Sequence, residues 1–206
     1  MTRRYLLAGI FYAAAALAVL YLCLQIFSGY RQEAALYDPQ TALVFGAEGG
    51  DLTVVEFMDY TCPYCRETHP VLMEAIRQDG HVRLLVRPVG SQRPGSTAAA
   101  HLAFTASAAG KAAEAHEVLI TSPVESDEAV AALAKKLELP AEKAAAAGNH
   151  DRAEALVRQN RALFVRLGLD ATPTFLIGRK GLYRPEGSMP TVQDYRALFD
   201  KARGAP

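Results

Sequence analysis

The chain has 206 residues, half of them apolar, enough for one substantial core with a subdomain but not for two ordinary domains. Its 22 lysines and arginines balance 22 aspartates and glutamates, and no stretch gathers enough basic residues to follow a phosphate backbone, which argues against nucleic acid as a partner. Three cysteines are too few for a structural disulfide framework: Cys23 lies in an apolar segment, and Cys62 and Cys65 make the one close pair, which therefore reads as chemistry.

From Tyr5 to Phe27 no residue is charged. A helix of that length reaches roughly 35 Å, against about 30 Å for a hydrocarbon core, so residues 1–28 read as a transmembrane anchor. A cleaved secretory signal is the alternative. Its apolar region is shorter, about 7 to 15 residues, and Leu24-Gln25-Ile26-Phe27-Ser28-Gly29 makes a poor cleavage site. Thr2-Arg3-Arg4-Tyr5-Leu6-Leu7 faintly resembles a twin-arginine signal, but a positive-inside preference accounts for both arginines. With only Arg31 close behind the span, the N-terminus is expected in the cytoplasm and the rest of the chain across the membrane. Leu22 before Cys23 is too bulky for a lipoprotein signal, and Cys23 reads as apolar filler. Residues 29–40 mix charges with Gly29 and Pro39 and read as a tether.

A first domain segment is expected over 41–95. Leu43-Val44-Phe45 is a short edge-strand candidate between glycines, and Leu52 to Met58 is a continuous β-favouring run, as in a central parallel strand buried on both faces. Cys65 to Arg77 has helical spacing, with Val71, Leu72, Ala75 and Ile76 on one stripe and Asp79-Gly80 as its close. Val82 to Val86 completes a strand-helix-strand unit. Residues 96–167 turn alanine-rich, with helices expected over Ser96–Ala109, Lys111–Ile120, Asp127–Leu137, Ala141–Ala147 and Asp151–Leu167. Leucine, valine and phenylalanine recur there at three- and four-residue spacing, which marks packed helices inserted into an α/β pattern. Over 168–206, Thr174-Phe175-Leu176-Ile177 and Leu182-Tyr183-Arg184 flank a glycine-bounded loop as a hairpin, and Thr191 to Ala202 is a final amphipathic helix.

Two cysteines separated by two residues at a helix start can form a small reversible disulfide. The first faces unpaired amides and the positive end of the helix dipole, which favours its thiolate, so Cys62 is the candidate nucleophile. Pro63 suits the first helical turn, where no amide hydrogen is needed. Cys65, one turn inside, is the candidate resolving thiol, shielded where Cys62 is exposed. Arg66 in place of histidine excludes a c-type haem site. His69 lies one turn beyond Cys65, but a structural zinc site would need a second pair of ligands, and no metal is assigned. His81, His101, His116 and His150 read as surface or satisfied core residues.

Phe57-Met58-Asp59-Tyr60-Thr61-Cys62-Pro63-Tyr64-Cys65 and Ala171-Thr172-Pro173-Thr174-Phe175 together resemble the DsbA-like thiol:disulfide oxidoreductases: the first matches that family's strand and active-site helix, the second its cis-proline loop. The 107 residues between Cys65 and Pro173 fit the family's helical insertion, and the similarity covers roughly Leu43 to Ala202. The resemblance implies an α/β, thioredoxin-like fold with an inserted α-helical subdomain, to which this chain adds its N-terminal transmembrane helix. It implies a cis Pro173 with Thr172 offering its backbone to the substrate near Cys62, and it makes Pro70 a kink in the active-site helix, where otherwise it would read as a break. Glu56 matches an acidic position beneath the disulfide that exchanges a proton with Cys65; read from the residues alone, it could equally be a salt-bridged carboxylate. Asp59 and Tyr60 read as loop-shaping residues.

Tyr64 departs from the family's strong oxidases, which have histidine next to the second cysteine. An uncharged Tyr64 implies a less oxidising disulfide, and the Pro63-Tyr64 dipeptide also occurs in isomerase-type relatives. The expected function is a membrane-anchored thiol:disulfide oxidoreductase on the periplasmic side of the inner membrane, acting on exported cysteine-containing proteins as a dithiol oxidase. It would need no cofactor beyond the Cys62–Cys65 disulfide. Its membrane redox partner would be DsbB-like for oxidation or DsbD-like for reduction. A reductase or isomerase using the same residues, or a non-catalytic assembly factor holding copper with the two thiols, remain as alternatives.

Overall fold

The computed structural model describes residues 2–139, 149–178, 181–185 and 187–204, with side chains from residue 15 onward apart from that of residue 149. The chain divides into two units, Met1–Leu36 and Tyr37–Pro206.

The first unit is a single helix, α1 (Thr2–Leu36). Val19, Leu20, Tyr21 and Leu22 are consecutive and all exposed. At about 100° per residue, four in a row leave no polar face. Among the described residues no helix is long and apolar enough to cross a membrane, and the expected span falls partly on residues whose side chains lie outside that set. In the segment expected as a tether over 29–40, residues 29–36 are helical, because α1 runs on to Leu36. Gln32, Glu33, Ala34, Ala35 and Leu36 are strong helix formers, and a lone Gly29 costs only about 1 kcal/mol against them. Pro39 opens a separate 3-10 turn, Pro39–Thr41, capped by the Asp38 carboxylate on the Gln40 amide at 2.9 Å.

The second unit is built on a five-stranded sheet formed by β1 (Leu43–Gly46), β2 (Leu52–Met58), β3 (Val82–Pro88), β4 (Thr174–Ile177) and β5 (Gly181–Tyr183), in the order β1-β3-β2-β4-β5. β2 is central: it runs parallel to β3, with Val54 opposite Leu84, and antiparallel to β4, with Glu56 opposite Phe175. Its β-favouring sequence reflects burial on both faces, with Val54, Val55, Phe57 and Met58 all fully covered and Glu56 the one charged residue among them. β1 forms one edge, antiparallel to β3, and β4 and β5 form the expected hairpin. The hairpin's Arg179 and Lys180 lie outside the described residues.

Helix α2 (Pro63–Asp79) follows β2, and the insertion between β3 and β4 contains α3 (Ser96–Ala108), α4 (Ala112–Thr121), α5 (Asp127–Lys136) and α6 (Asn149–Arg166). The helix expected over Ala141–Ala147 lies outside the described residues. A last helix, α7 (Val192–Gly204), packs against α2. Side chains of β2 alternate between the two layers. Glu56 points to α2, where it meets His69, and Phe57 points to α6, where its ring lies 5.6 Å from that of Phe164.

One polar device ties the insertion to the sheet, and one close backbone approach fixes its own start. Arg87 on β3 is fully buried, and its guanidinium donates to the Thr41 carbonyl and hydroxyl, the Asp38 carbonyl and Asn160 Oδ1 of α6. Burial lowers its pKa to about 10, against the opposing pull of Asp38. Gly95, at φ +76°, starts α3 in a left-handed conformation, and a Cβ there would lie 1.9 Å from the Val124 carbonyl oxygen. Gly95→Ala therefore meets backbone on both counts and is expected to cost roughly 2–4 kcal/mol. A fall in melting temperature of roughly 5–15 °C is the measurable result; an unchanged melting temperature would show that this corner yields.

Candidate active site

The turn between β2 and α2 is shaped by one carboxylate. Asp59 is buried, and its Oδ1 accepts from the Thr61 amide at 2.9 Å, the Thr61 hydroxyl at 2.9 Å and the Ser96 hydroxyl of α3 at 2.8 Å. The Cys62 amide donates back to the Asp59 carbonyl at 3.0 Å. This Asx-type turn delivers Cys62 as the N-cap of α2, with Pro63 in the first turn and no side-chain cap on the free amides. The helix runs on through Pro70 to Asp79, so Pro70 does not end it.

Cys62 and Cys65 are both free thiols at this helix start. The expectation of an exposed Cys62 is corrected: only 4% of it is accessible, and none of Cys65. The covering segment is the distant loop before β4. Cys62 Sγ lies 3.3 Å from the Thr172 carbonyl oxygen, and the Thr172–Pro173 peptide is cis. Thr172 and Pro173 thus lie beside the first cysteine.

The two thiols are driven apart in acidity. The Cys62 thiol falls from 9.0 to about 5, chiefly through the hydrogen bond from Cys65; burial opposes this, while the Cys65 amide, Thr172 and Arg93 add to it. The Cys65 thiol rises well above 9.0 because of burial first, then the hydrogen bond to Cys62 and its charge, with Glu56 adding and the Asp59 amide, 3.5 Å from Sγ, opposing. Cys62 is therefore a thiolate at neutral pH and Cys65 a protonated thiol. For Cys62 the folded value lies below the unfolded one, so its contribution to the stability of the reduced protein is complete above about pH 9 and disappears as pH falls through about 5. Alkylation of Cys62 should switch on with a midpoint of about pH 5 while Cys65 stays unreactive. A midpoint close to that of a free thiol would contradict this electrostatic assignment.

Tyr64 is 61% exposed and supplies no charge. Arg93, in the loop between β3 and α3, supplies one instead, with Nη1 3.5 Å from the Thr61 carbonyl and a hydrogen bond that favours the Cys62 thiolate. Nothing in the spacing of Arg93 marked it, since 27 residues and a whole strand separate it from Cys65. Arg66, beside Cys65, was read only as the absence of a haem histidine. Its Nη1 donates to the carbonyls of Tyr60, Leu119 and Ser122 at 3.4, 3.2 and 2.7 Å, joining the start of α2 to the C-terminal end of α4.

Glu56 is fully buried on the α2 side of the sheet, close enough to Cys65 for its charge to act on that thiol. It is not a lone carboxylate: Oε2 meets His69 Nδ1 at 2.6 Å. His69 Nε2 in turn meets His116 Nε2 of α4 at 2.8 Å, and His116 Nδ1 meets the Tyr60 hydroxyl at 2.8 Å. All four residues are at most 4% exposed. Tyr60 thus does more than shape the loop, and His116 is a satisfied core residue of an unforeseen kind. Among the described residues no group of three or more His, Cys, Asp and Glu side chains is arranged to hold a metal ion.

A family model described as thioredoxin matches residues 38–199. Among solved structures, a thioredoxin-like oxidoreductase from Silicibacter pomeroyi DSS-3 is similar at 30% identity, covering 84% of this chain and 98% of that one, with a TM-score of 0.73. A periplasmic thioredoxin-like protein from Salmonella enterica serovar Typhimurium shares the fold at 23% identity over 84% and 97% of the two chains, with a TM-score of 0.67. The thiol-disulfide exchange protein alpha-DsbA2 from Wolbachia pipientis shares it at 22% identity over 85% and 92%, with a TM-score of 0.68. A curated relative, Na(+)/H(+) antiporter NhaA 3 from Salinispora tropica, is 26% identical over 82% of this chain, but the chain spans only 26% of that protein's length.

Proposed function

Since the chain belongs to the thioredoxin family and is a thioredoxin-like oxidoreductase, we propose that it is a DsbA-like thiol:disulfide oxidoreductase that works outside the cytoplasm as a membrane-anchored dithiol oxidase of exported proteins, with Cys62 as nucleophile and Cys65 as resolving thiol. The observation that carries this is the placement of the pair, Cys62 at the N-cap of α2 beside the cis Thr172–Pro173 peptide and Cys65 fully buried behind it, which lowers the Cys62 thiol to about 5 and raises that of Cys65. A stabilised Cys62 thiolate favours the reduced enzyme, and so makes its disulfide a better oxidant. A client thiolate bonds to Cys62 Sγ, the electron pair of the Cys62–Cys65 bond passes to Cys65, and that sulfur takes up a proton. A second client thiolate then attacks the client sulfur, and Cys62 leaves as the thiolate its surroundings favour. The client is oxidised by two electrons, the enzyme is reduced by two, and a membrane redox partner must restore the disulfide.

The Thr172 backbone beside Cys62 supports client strands docking along the cis-proline loop. The uncharged stretch from Tyr5 to Phe27, carried on one helix with apolar side chains exposed on every face of its described part, supports the anchor. The relatives support the setting: one solved neighbour is described as periplasmic, and the curated relative is named as a sodium/proton antiporter. A second reading is favoured by one observation. Tyr64 carries no charge next to the thiolate, as suits a reductase or isomerase drawing electrons from a DsbD-like partner. Alkylation of free thiols in the native cell envelope separates the two. The oxidase is expected to hold Cys62 and Cys65 predominantly as the disulfide; a predominantly reduced pair would overturn the oxidising direction and leave the exchange chemistry in place.

A further inference from the structure

The buried series Glu56, His69, His116 and Tyr60 brings together four hydrogen-bonding side chains from β2, α2, α4 and the active-site turn. Three contacts in a row leave little freedom in placing hydrogens. A neutral imidazole has one N–H and one bare nitrogen, so in the contact between His69 Nε2 and His116 Nε2 one ring must donate and the other accept. His116 is held neutral, its pKa well below 6.5 through burial and then His69. With Glu56 ionised and both imidazoles neutral, a single arrangement satisfies every contact. Tyr60 donates to His116 Nδ1, His116 Nε2–H donates to His69, and His69 Nδ1–H donates to the carboxylate.

One added proton reverses the series. Taken up by Glu56 in the 2.6 Å contact of its Oε2 with His69 Nδ1, with both imidazoles kept neutral, it makes Glu56 the donor. His69 must then carry its hydrogen on Nε2 and donate to His116, which carries its own on Nδ1 and donates to the Tyr60 oxygen, whose hydrogen turns away. Both histidines change tautomer for a single proton. The other carboxylate oxygen, Oε1, is a poorer place for that proton, because it has no hydrogen-bond partner among the described residues and is fully buried.

We propose that this series is a reversible proton wire serving Cys65, in which His69, His116 and Tyr60 are positioning residues acting through Glu56. The inference rests on the reading of Cys65 as the resolving thiol. During client oxidation the client thiolate bonds to Cys62 Sγ, the Sγ–Sγ bond breaks with its electron pair on Cys65, and the wire delivers one proton to that sulfur. It passes from the reversed, four-proton arrangement to the three-proton one. Reoxidation of the enzyme runs the same step backwards, with Cys65 returning its proton to the Glu56–His69 contact. Because His116 belongs to the insertion, the redox state of the cysteine pair is written into α4, about one hydrogen bond at a time. The titratable groups facing Glu56 are Cys65 and His69 from α2, Tyr60 from the turn and Tyr195 from α7; those facing His116 are His69 and Tyr60. Burial raises both tyrosines, which stay neutral throughout.

Histidine tautomers are directly readable by long-range nitrogen–proton NMR on the full chain labelled with ¹⁵N-histidine, reduced with dithiothreitol or oxidised with glutathione disulfide. His69 and His116 are expected to exchange their protonated nitrogens between the two forms at neutral pH, while His81, His101 and His150 keep theirs. Unchanged tautomers at His69 and His116 in a protein that still exchanges disulfides would overturn the wire alone. Unchanged tautomers in a protein without exchange activity would overturn the reading of the cysteines as well. In a His116→Phe variant, resolution by Cys65 should slow by about tenfold and its pH profile should shift, below the ~10² or more expected for loss of a general base itself, while first attack by Cys62 is retained. Equal slowing of both steps would mark His116 as structural only and refute the proposal.

Discussion

Replacing Cys62 with serine is expected to abolish dithiol exchange while leaving the protein folded. The loss follows from the chemistry of the position. An alkoxide is not formed at neutral pH in a site that lowers a thiol only to about 5, and a hydroxyl forms no disulfide, so no mixed intermediate exists for Cys65 to resolve. The fold survives because Cys62 is the N-cap of α2 and makes no side-chain cap of its own. Serine is a preferred N-cap residue, and its hydroxyl can take one of the free amides, so stability should stay within about 1 kcal/mol of the parent. The test is a pair of measurements on one sample: turnover with a dithiol peptide and thermal unfolding. Retained exchange in a folded Cys62→Ser protein would remove the nucleophile from the mechanism.

The second large effect is expected for Cys65→Ala. Cys65 is fully buried, and its hydrogen bond is the largest cause of the low Cys62 pKa. Its removal should therefore do two things at once. The Cys62 pKa should rise from about 5, seen as a shift in the pH dependence of thiolate absorbance, and attack at neutral pH should slow accordingly. Any mixed disulfide that forms should nevertheless persist, because no resolving thiol remains to release it, and client proteins should be captured on non-reducing gels. A folded Cys65→Ala protein that captures no client from an envelope preparation would favour a binding role over catalysis.

Much of this arrangement could be read from residue order, and the reasons are local. The run Leu52 to Met58 is bounded as the strand is, because its β-branched and apolar residues are flanked by Gly49-Gly50-Asp51 on one side and Asp59 on the other. Pro63 and Pro173 announce themselves because proline constrains backbone wherever it stands. What could not be read depends on chain segments meeting at a distance. His69 and His116 are 47 residues apart and belong to different helices, so no periodicity links them. Arg93 reaches Cys62 across a strand crossover, and the cover over Cys62 comes from a loop 110 residues away. The helix through Leu36 was hidden by a different cause: Gly29 and Pro39 look like breakers, but one lies within a strong helix-forming context and the other beyond its end.

Arg66 bears on what could be transplanted. Its guanidinium reaches the carbonyls of Leu119 and Ser122 at the C-terminal end of α4, groups that a helix end leaves without intrahelical partners, and it reaches the Tyr60 carbonyl in the active-site turn. The tetrapeptide Cys62-Pro63-Tyr64-Cys65 is consequently not a portable cassette. Grafted onto a minimal scaffold without the helical insertion, it would arrive without the arginine and the helix end that brace its turn. The structural unit of this site is therefore the tetrapeptide together with Arg66 and the end of α4.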